Sequence, residues 1–174
     1  MTDTTKKLFF RQSFNIQVTL KSNELQNQND RVTSSTDIES KLISKIKNNI
    51  GNKCNKLGYI DKDSIKLVSR SIGKINTSHF NGDINYDVIL EASICKPSDG
   101  DKIRCKVIGK NKIGIFAVAN PIHIILASAH HTDTTLFDNI NENDIIEVEI
   151  INYKLNLNSD NIKVIGKYIK KINN

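Results

Sequence analysis

The residues best able to do chemistry in this chain are cations set around one aromatic ring. Lys102, Arg104, Lys106, Lys110 and Lys112 crowd the approach to Phe116. Ammonium groups meet phosphates as point charges, and a ring beside them offers a face on which an unpaired base can stack. Tyr153 and Lys154 offer a further contact of the same kind. The chemistry this implies is retention of single-stranded nucleic acid, mainly by its backbone. Two plainer readings stay open. Phe116 is flanked by Ile115, Ala117 and Val118 and also suits a core position, and the lysines also suit a solvated face.

The charge of the whole chain agrees. Lys and Arg number 25 against 19 Asp and Glu, a net charge of +6 over 174 residues. A basic surface attracts polyanions at long range. Only Arg11, Arg31, Arg70 and Arg104 are arginine. The cationic character is therefore suited to phosphate contact more than to forked readout of base edges. Ile, Asn and Lys make up roughly two-fifths of the chain, and A/T-rich coding accounts for some of the basicity.

Enzymatic chemistry has little to build on. The three cysteines, Cys54, Cys95 and Cys105, form no C-x-x-C pair. An odd, sparse set predicts free thiols in a reducing compartment, with no disulfide framework and no zinc knuckle. The four histidines, His79, His123, His130 and His131, make no H-E-x-x-H pattern. Asp61 with Asp63, and Asp99 with Asp101, fall in turn-like stretches where Asp bonds its own backbone. No catalytic residue, metal or cofactor is expected. A metal-dependent nuclease is the weakest of the readings. No apolar run approaches the ~18 residues of a membrane span, and Met1 to Lys7 lacks the apolar core of a secretory signal. The expectation is a protein that stays inside a cell and meets no membrane.

The elements that must position these groups are mostly strands. Phe14, Ile16, Val18 and Leu20 alternate with polar residues within Leu8 to Leu20, the period of a half-buried strand. Lys21 to Ser35 is polar and reads as a loop. Ile38, Leu42, Ile43, Ile46 and Ile50 recur at helical spacing. Ser35 or Thr36 is placed to cap that helix, with Glu39 at capping-box distance from Thr36. Gly51 follows as a C-terminal stop at positive φ. Lys53 to Ile60, Ser64 to Ser71 and Tyr86 to Cys95 read as extended runs. The turn at Lys96-Pro97-Ser98-Asp99-Gly100 marks a boundary, giving an N-terminal domain over residues 1–95 and a C-terminal domain over residues 96–174. After it, Asp101 to Gly109, Gly114 to Ala119, Ile122 to Ala127, Asp144 to Tyr153 and Asn161 to Tyr168 read as strands. A long excursion, Ser128 to Asn143, separates the third from the fourth. Five short strands in this order predict a closed Greek-key barrel of OB type. The fold class expected is α+β: a small strand–helix–sheet unit, then the barrel, with Phe116 on the barrel's second strand.

This order resembles the larger stalk subunit of multisubunit RNA polymerases, a family with archaeal members that includes the seventh subunit of polymerase II. Asn55-Lys56-Leu57-Gly58-Tyr59-Ile60 is similar to that family's glycine-containing segment after the first helix. Ser71-Ile72-Gly73-Lys74-Ile75 resembles its Ile-Gly turn. Gly82 to Ile89 resembles its strand ending in Tyr-x-Val-Ile. Pro97 to Val107 resembles its junction. Asn111-Lys112-Ile113-Gly114-Ile115-Phe116-Ala117 is similar to its Asn-Lys-Val-Gly-hydrophobic-Phe motif, and Ser128-Ala129-His130 to its Ser-Arg-His. The likeness covers roughly residues 8–170.

The resemblance implies a non-catalytic subunit whose N-terminal tip docks to the polymerase core near the clamp. Leu57, Gly58, Tyr59, Ile72 and Gly73 are the docking residues it suggests. It implies an S1-like barrel that contacts emerging RNA, with His130 added to the contact set. Implied partners are the largest polymerase subunits, other core subunits and a small helical stalk partner. RNA-binding S1 domains carry an aromatic just before the glycine and a His inside the third strand. Here those places hold Ile113 and Leu126. The polar loop after the first strand and the Ile/Asn/Lys bias suggest a divergent homologue from a large DNA virus. The protein would then act in the host cytoplasm, at a viral factory, or in the virion, and otherwise in the nucleus. The competing reading is a stand-alone S1-type RNA-binding protein of translation or RNA decay.

Overall fold

Period-two alternation dominates the chain, and strands follow from it. The computed structural model describes residues 8–25, 35–77, 81–128 and 139–172. In chain order the strands are β1 (Phe9–Leu20), β2 (Lys53–Cys54), β3 (Tyr59–Ile60), β4 (Lys66–Arg70), β5 (Lys74–Ile75), β6 (Ile84–Cys95), β7 (Lys102–Asn111), β8 (Gly114–Ala119), β9 (Ile122–Ala127), β10 (Ile145–Lys154) and β11 (Ile162–Ile172). Among the described residues the helices are α1 (Ser22–Leu25) and α2 (Ser35–Ile50), with a 3-10 turn at Lys62–Ser64. The balance lies further toward β than an α+β expectation, with 55% of the described residues in strands. Among the described residues, no helix is long and apolar enough to cross a membrane.

The chain forms two compact units. One draws on Arg11–Gly51 and Ile60–Ser93. In it β1 lies beside β6, and β4 and β5 pair with β6. The sheet's buried face includes Val18, Leu20, Val88 and Leu90. Leu42 and Ile46 are the most buried residues of the α2 stripe, while Ile38, Ile43 and Ile50 are half-buried. The outer face of β1 and β6 is a polar ladder: Arg11 with Glu91, Gln17 with Asp87, and Thr19 with Asn85 at 2.6 Å. Lys45 of α2 bonds Glu24 of α1 at 2.6 Å, so part of the segment read as a loop is a short helix tied to α2. That bond holds the Glu24 carboxyl below the usual range.

The ends of α2 differ from the sequence expectation. Thr36 lies inside the helix, so it does not cap it, and Glu39 sits 3.4 Å from Arg70 Nε. At the other end the positive φ falls on Asn52, at 55°, one residue after Gly51. Asn tolerates the left-handed region better than other residues with a side chain. Gly51 is small for a different reason: a Cβ there would strike the Lys47 carbonyl and the Lys62 side chain.

The second unit draws on residues through Phe10, Asn52–Tyr59 and Ile94 onward. Its centre is a closed five-stranded barrel in the order β10-β11-β9-β8-β7. All pairs are antiparallel except β11 with β9, which is parallel. This is an OB-like barrel. The alternation read from sequence points inward as expected. Ile103, Cys105 and Val107 of β7 and Ile146, Val148 and Ile150 of β10 are each at most 1% exposed. Irregularities at Val107/Gly109, Glu147/Val148 and Ile150/Asn152 interrupt the register; such bulges bend strands and let a sheet curl shut. Leu8, Cys54 and Cys95 join the same core, with Phe9 and Tyr59 packed against it.

Two turns in this unit use one device. Asn55 Oδ1 accepts from the amides of Leu57 and Gly58, and Asn111 Oδ1 from those of Ile113 and Gly114, at 2.7–3.1 Å. Gly58 and Gly114 then adopt φ of 144° and 157°. Each lies against a carbonyl, of Cys95 and of Leu126 respectively, where a Cβ would collide. The junction turn also forms as expected, with Gly100 at φ 86° and Ser98 N donating to Asp101 Oδ2 at 2.8 Å.

Candidate nucleic-acid interface

Strand register decides which cations act together. On the barrel's outer surface, one row crosses the sheet as Lys106, Val118, His123, Lys163 and Lys154, each directly opposite the next. The neighbouring row runs Phe116, Ile125, Ile165 and Asn152. Side chains at directly opposed positions share a face, so a basic belt lies beside an apolar belt that contains an aromatic ring. Lys106, His123, Lys163 and Lys154 are exposed, and Phe116 and Ile125 are half-buried. Phe116 is thus on the outer face; the inward positions of β8 belong to Ile115, Ala117 and Ala119.

The cations at the start of β7 have other neighbours. Arg104 stands opposite Glu147 and Lys102 opposite Glu149. On the far side of β10, Glu147 faces Lys170 and Glu149 faces Lys167, and Lys170 Nζ lies 3.4 Å from Glu147 Oε2. Lys102 and Arg104 therefore each face a carboxylate that is shared with a second lysine, which weakens their pull on phosphate. Asp144 extends that balance with Lys171 at 2.6 Å, and the lysine holds its carboxyl below the usual range.

The sequence-predicted residues separate accordingly. Lys106, Phe116 and Lys154 fall on the two belts. Lys110 and Lys112 are exposed at the β7–β8 turn, beside the Phe116 strand. Tyr153 is half-buried at the end of β10, where it packs against the barrel core and lines a cleft of about 410 Å³. His130 lies outside the described residues, as does most of the excursion after β9. Sequence reasoning missed His123, Lys163, Ile125 and Ile165. The period-two exposure of Ile122–Ala127 and Ile162–Ile172 marks them as outward, but only the parallel β9–β11 pairing brings them together.

The proposed docking residues lie in different units. Leu57, Gly58 and Tyr59 form the β2–β3 turn of the barrel unit, where Gly58 is buried and Tyr59 packs on the core. Ile72 and Gly73 belong to the other unit. There a Cβ on Gly73 would meet the Tyr86 ring at 2.9 Å and Ile84 at 2.6 Å, so the turn lies flat on those side chains. Arg70 lies over the same Tyr86 ring at 5.9 Å. Ile72 is left 87% exposed, with Val68 and Ile75 also bare. Among the described residues, no group of three or more His, Cys, Asp or Glu is arranged to hold a metal.

No protein-family model matches the sequence. Over 151 residues the chain is 26% identical to "Putative DNA-directed RNA polymerase subunit L376" of Acanthamoeba polyphaga mimivirus, an alignment covering 79% of this chain and 75% of that protein.

Proposed function

We propose that this chain is a non-catalytic stalk subunit of a viral DNA-directed RNA polymerase. Its N-terminal domain, residues 1–95, docks to the core near the clamp, and its C-terminal domain, residues 96–174, contacts emerging RNA. The similarity to a mimivirus polymerase subunit supports the assembly. The observation that carries the RNA contact is the pairing of belts: a basic row with no carboxylate at its paired strand positions, beside a row holding Phe116. Lysines follow a backbone of any sequence, and a ring accepts any base. Such a surface suits a transcript that changes with every gene.

Affinity purification from native material tests the assembly. The largest polymerase subunits are expected to co-elute with the full chain. Elution without them sinks the stalk reading and favours a stand-alone RNA-binding protein. Exposed apolar patches mark contact sites, and Ile72 is 87% exposed, so Ile72→Asp is expected to cut co-elution at least tenfold. Its thermal midpoint should stay unchanged, because Ile72 buries almost nothing.

RNA contact is tested separately by fluorescence anisotropy with a labelled oligouridylate. Phe116→Leu, which keeps an apolar side chain but removes the ring, is expected to weaken binding about tenfold, in line with the ~1–3 kcal/mol of a base–aromatic stack. Binding should also weaken steeply with salt, since each phosphate contact on a single strand contributes about 0.7 to the log–log slope. Affinity indifferent to salt would count against a basic belt.

A further inference from the structure

The cleft of about 410 Å³ on the barrel surface lies where β9, β10 and β11 meet. It is lined by Ile125, Asn152, Lys154, Lys163 and Ile165, which share the outer face, and by Tyr153 and Val164, a directly opposed pair whose valine is buried. We infer that this cleft holds one unpaired base of a single-stranded nucleic acid, with Lys154 and Lys163 gripping the phosphates beside it. The inference rests on the RNA-contact reading above and adds to it a defined subsite next to Phe116, whose cross-strand partner Ile125 is part of the cleft lining.

Three features point to this occupant. The volume falls within the roughly 300–1,000 Å³ of small-ligand sites. The paired Ile125 and Ile165 side chains suit the face of a flat ring, and the Asn152 amide presents both a donor and an acceptor to a base edge. The third feature is electrostatic. Lys154 stands directly opposite Lys163. Like charges placed directly across strands repel. Elsewhere on this barrel such cations alternate with Glu147 and Glu149, whereas among the described residues no carboxylate lines the cleft. An anion between the two lysines relieves that repulsion.

The chain contains no tryptophan, so Ile165→Trp, at a lining residue 38% exposed on the outer face, supplies a single reporter in the cleft. The full-length variant is titrated with a labelled twelve-nucleotide oligouridylate, and anisotropy and tryptophan emission are read together. A DNA oligomer of matching length and an acidic peptide form the other arms. Quenching of tryptophan emission with the same midpoint as the anisotropy rise is expected with RNA. Adding Lys163→Glu should weaken both signals about tenfold, and Lys163→Arg should restore them. Equal quenching by the DNA oligomer leaves the base site standing and makes it indifferent to the sugar. An anisotropy rise without a change in emission overturns the cleft while leaving RNA contact intact. No anisotropy rise at low salt overturns both. Equal quenching by the acidic peptide overturns the base as occupant.

Discussion

Gly114→Ala is expected to lose about 2–5 kcal/mol of stability, combining ~1–3 for overpacking with ~1–2 for a left-handed backbone. At φ 157° this residue lies against the Leu126 carbonyl, where a methyl group has no room. The obstruction is backbone of β9, fixed by its pairing with β8, so no side chain can swing away. At about 2–4 °C per kcal/mol for a chain of this size, the thermal midpoint should fall by roughly 10 °C. Two other glycines calibrate the result. Gly100 has φ 86° but open space around it, and Gly109 has neither a positive φ nor a close neighbour. Gly100→Ala should lose about 1–2 kcal/mol, and Gly109→Ala close to nothing. A Gly114→Ala chain no less stable than Gly100→Ala would contradict the packing described at this turn.

The thiols give the second large effect. All three are free, and each is at most 1% exposed. Burial, and for Cys95 also the neighbouring Cys54, pushes the thiols of Cys95 and Cys105 up to about 12 from an ordinary 9.0. Burial and then Asp160 push Cys54 up as well. Near pH 8, alkylation of the native protein should therefore be slower than that of the urea-unfolded chain by about a thousandfold or more, since reaction requires opening. The pH dependence has a definite sign. A thiol held above its unfolded value contributes stability in full below pH 9.0, and that contribution is lost as pH climbs toward the folded value of about 12. Thiolate absorbance should rise near the ordinary value in urea and only at the far alkaline end in the native state. A native chain whose thiols titrate and alkylate like a peptide's does not have these residues in a closed core.

Much of the barrel was legible because the side-chain period of a strand is two. Ile103, Cys105 and Val107 announce an inward face whatever lies next to them, and Gly114 to Ala119 and Ile122 to Ala127 appear with the bounds read from sequence. Partnership was not legible. Lys102 and Arg104 read as phosphate contacts because Phe116 is close in sequence, but Glu149 and Glu147 face them from a strand far along the chain. His123 and Lys163 looked unrelated for the same reason. Short elements escaped as well: neither Ser22–Leu25 nor Lys74–Ile75 spans enough residues to show a period. The exposure of Ile72 could not be foreseen either, since only packing of Gly73 onto Tyr86 turns that isoleucine outward.

The barrel's core draws on Leu8 and Cys54 as well as on residues after Ile94. That has a practical bearing on dissecting the protein. A recombinant fragment started at Lys96 would be severed from both residues and from the ring of Tyr59, leaving some of its interior wet and adhesive. Genetic bisection at that junction should yield an insoluble product, while grafting an affinity handle into the open turn at Gly100, where no neighbouring atom lies within 4 Å of an added Cβ, should leave the molecule whole.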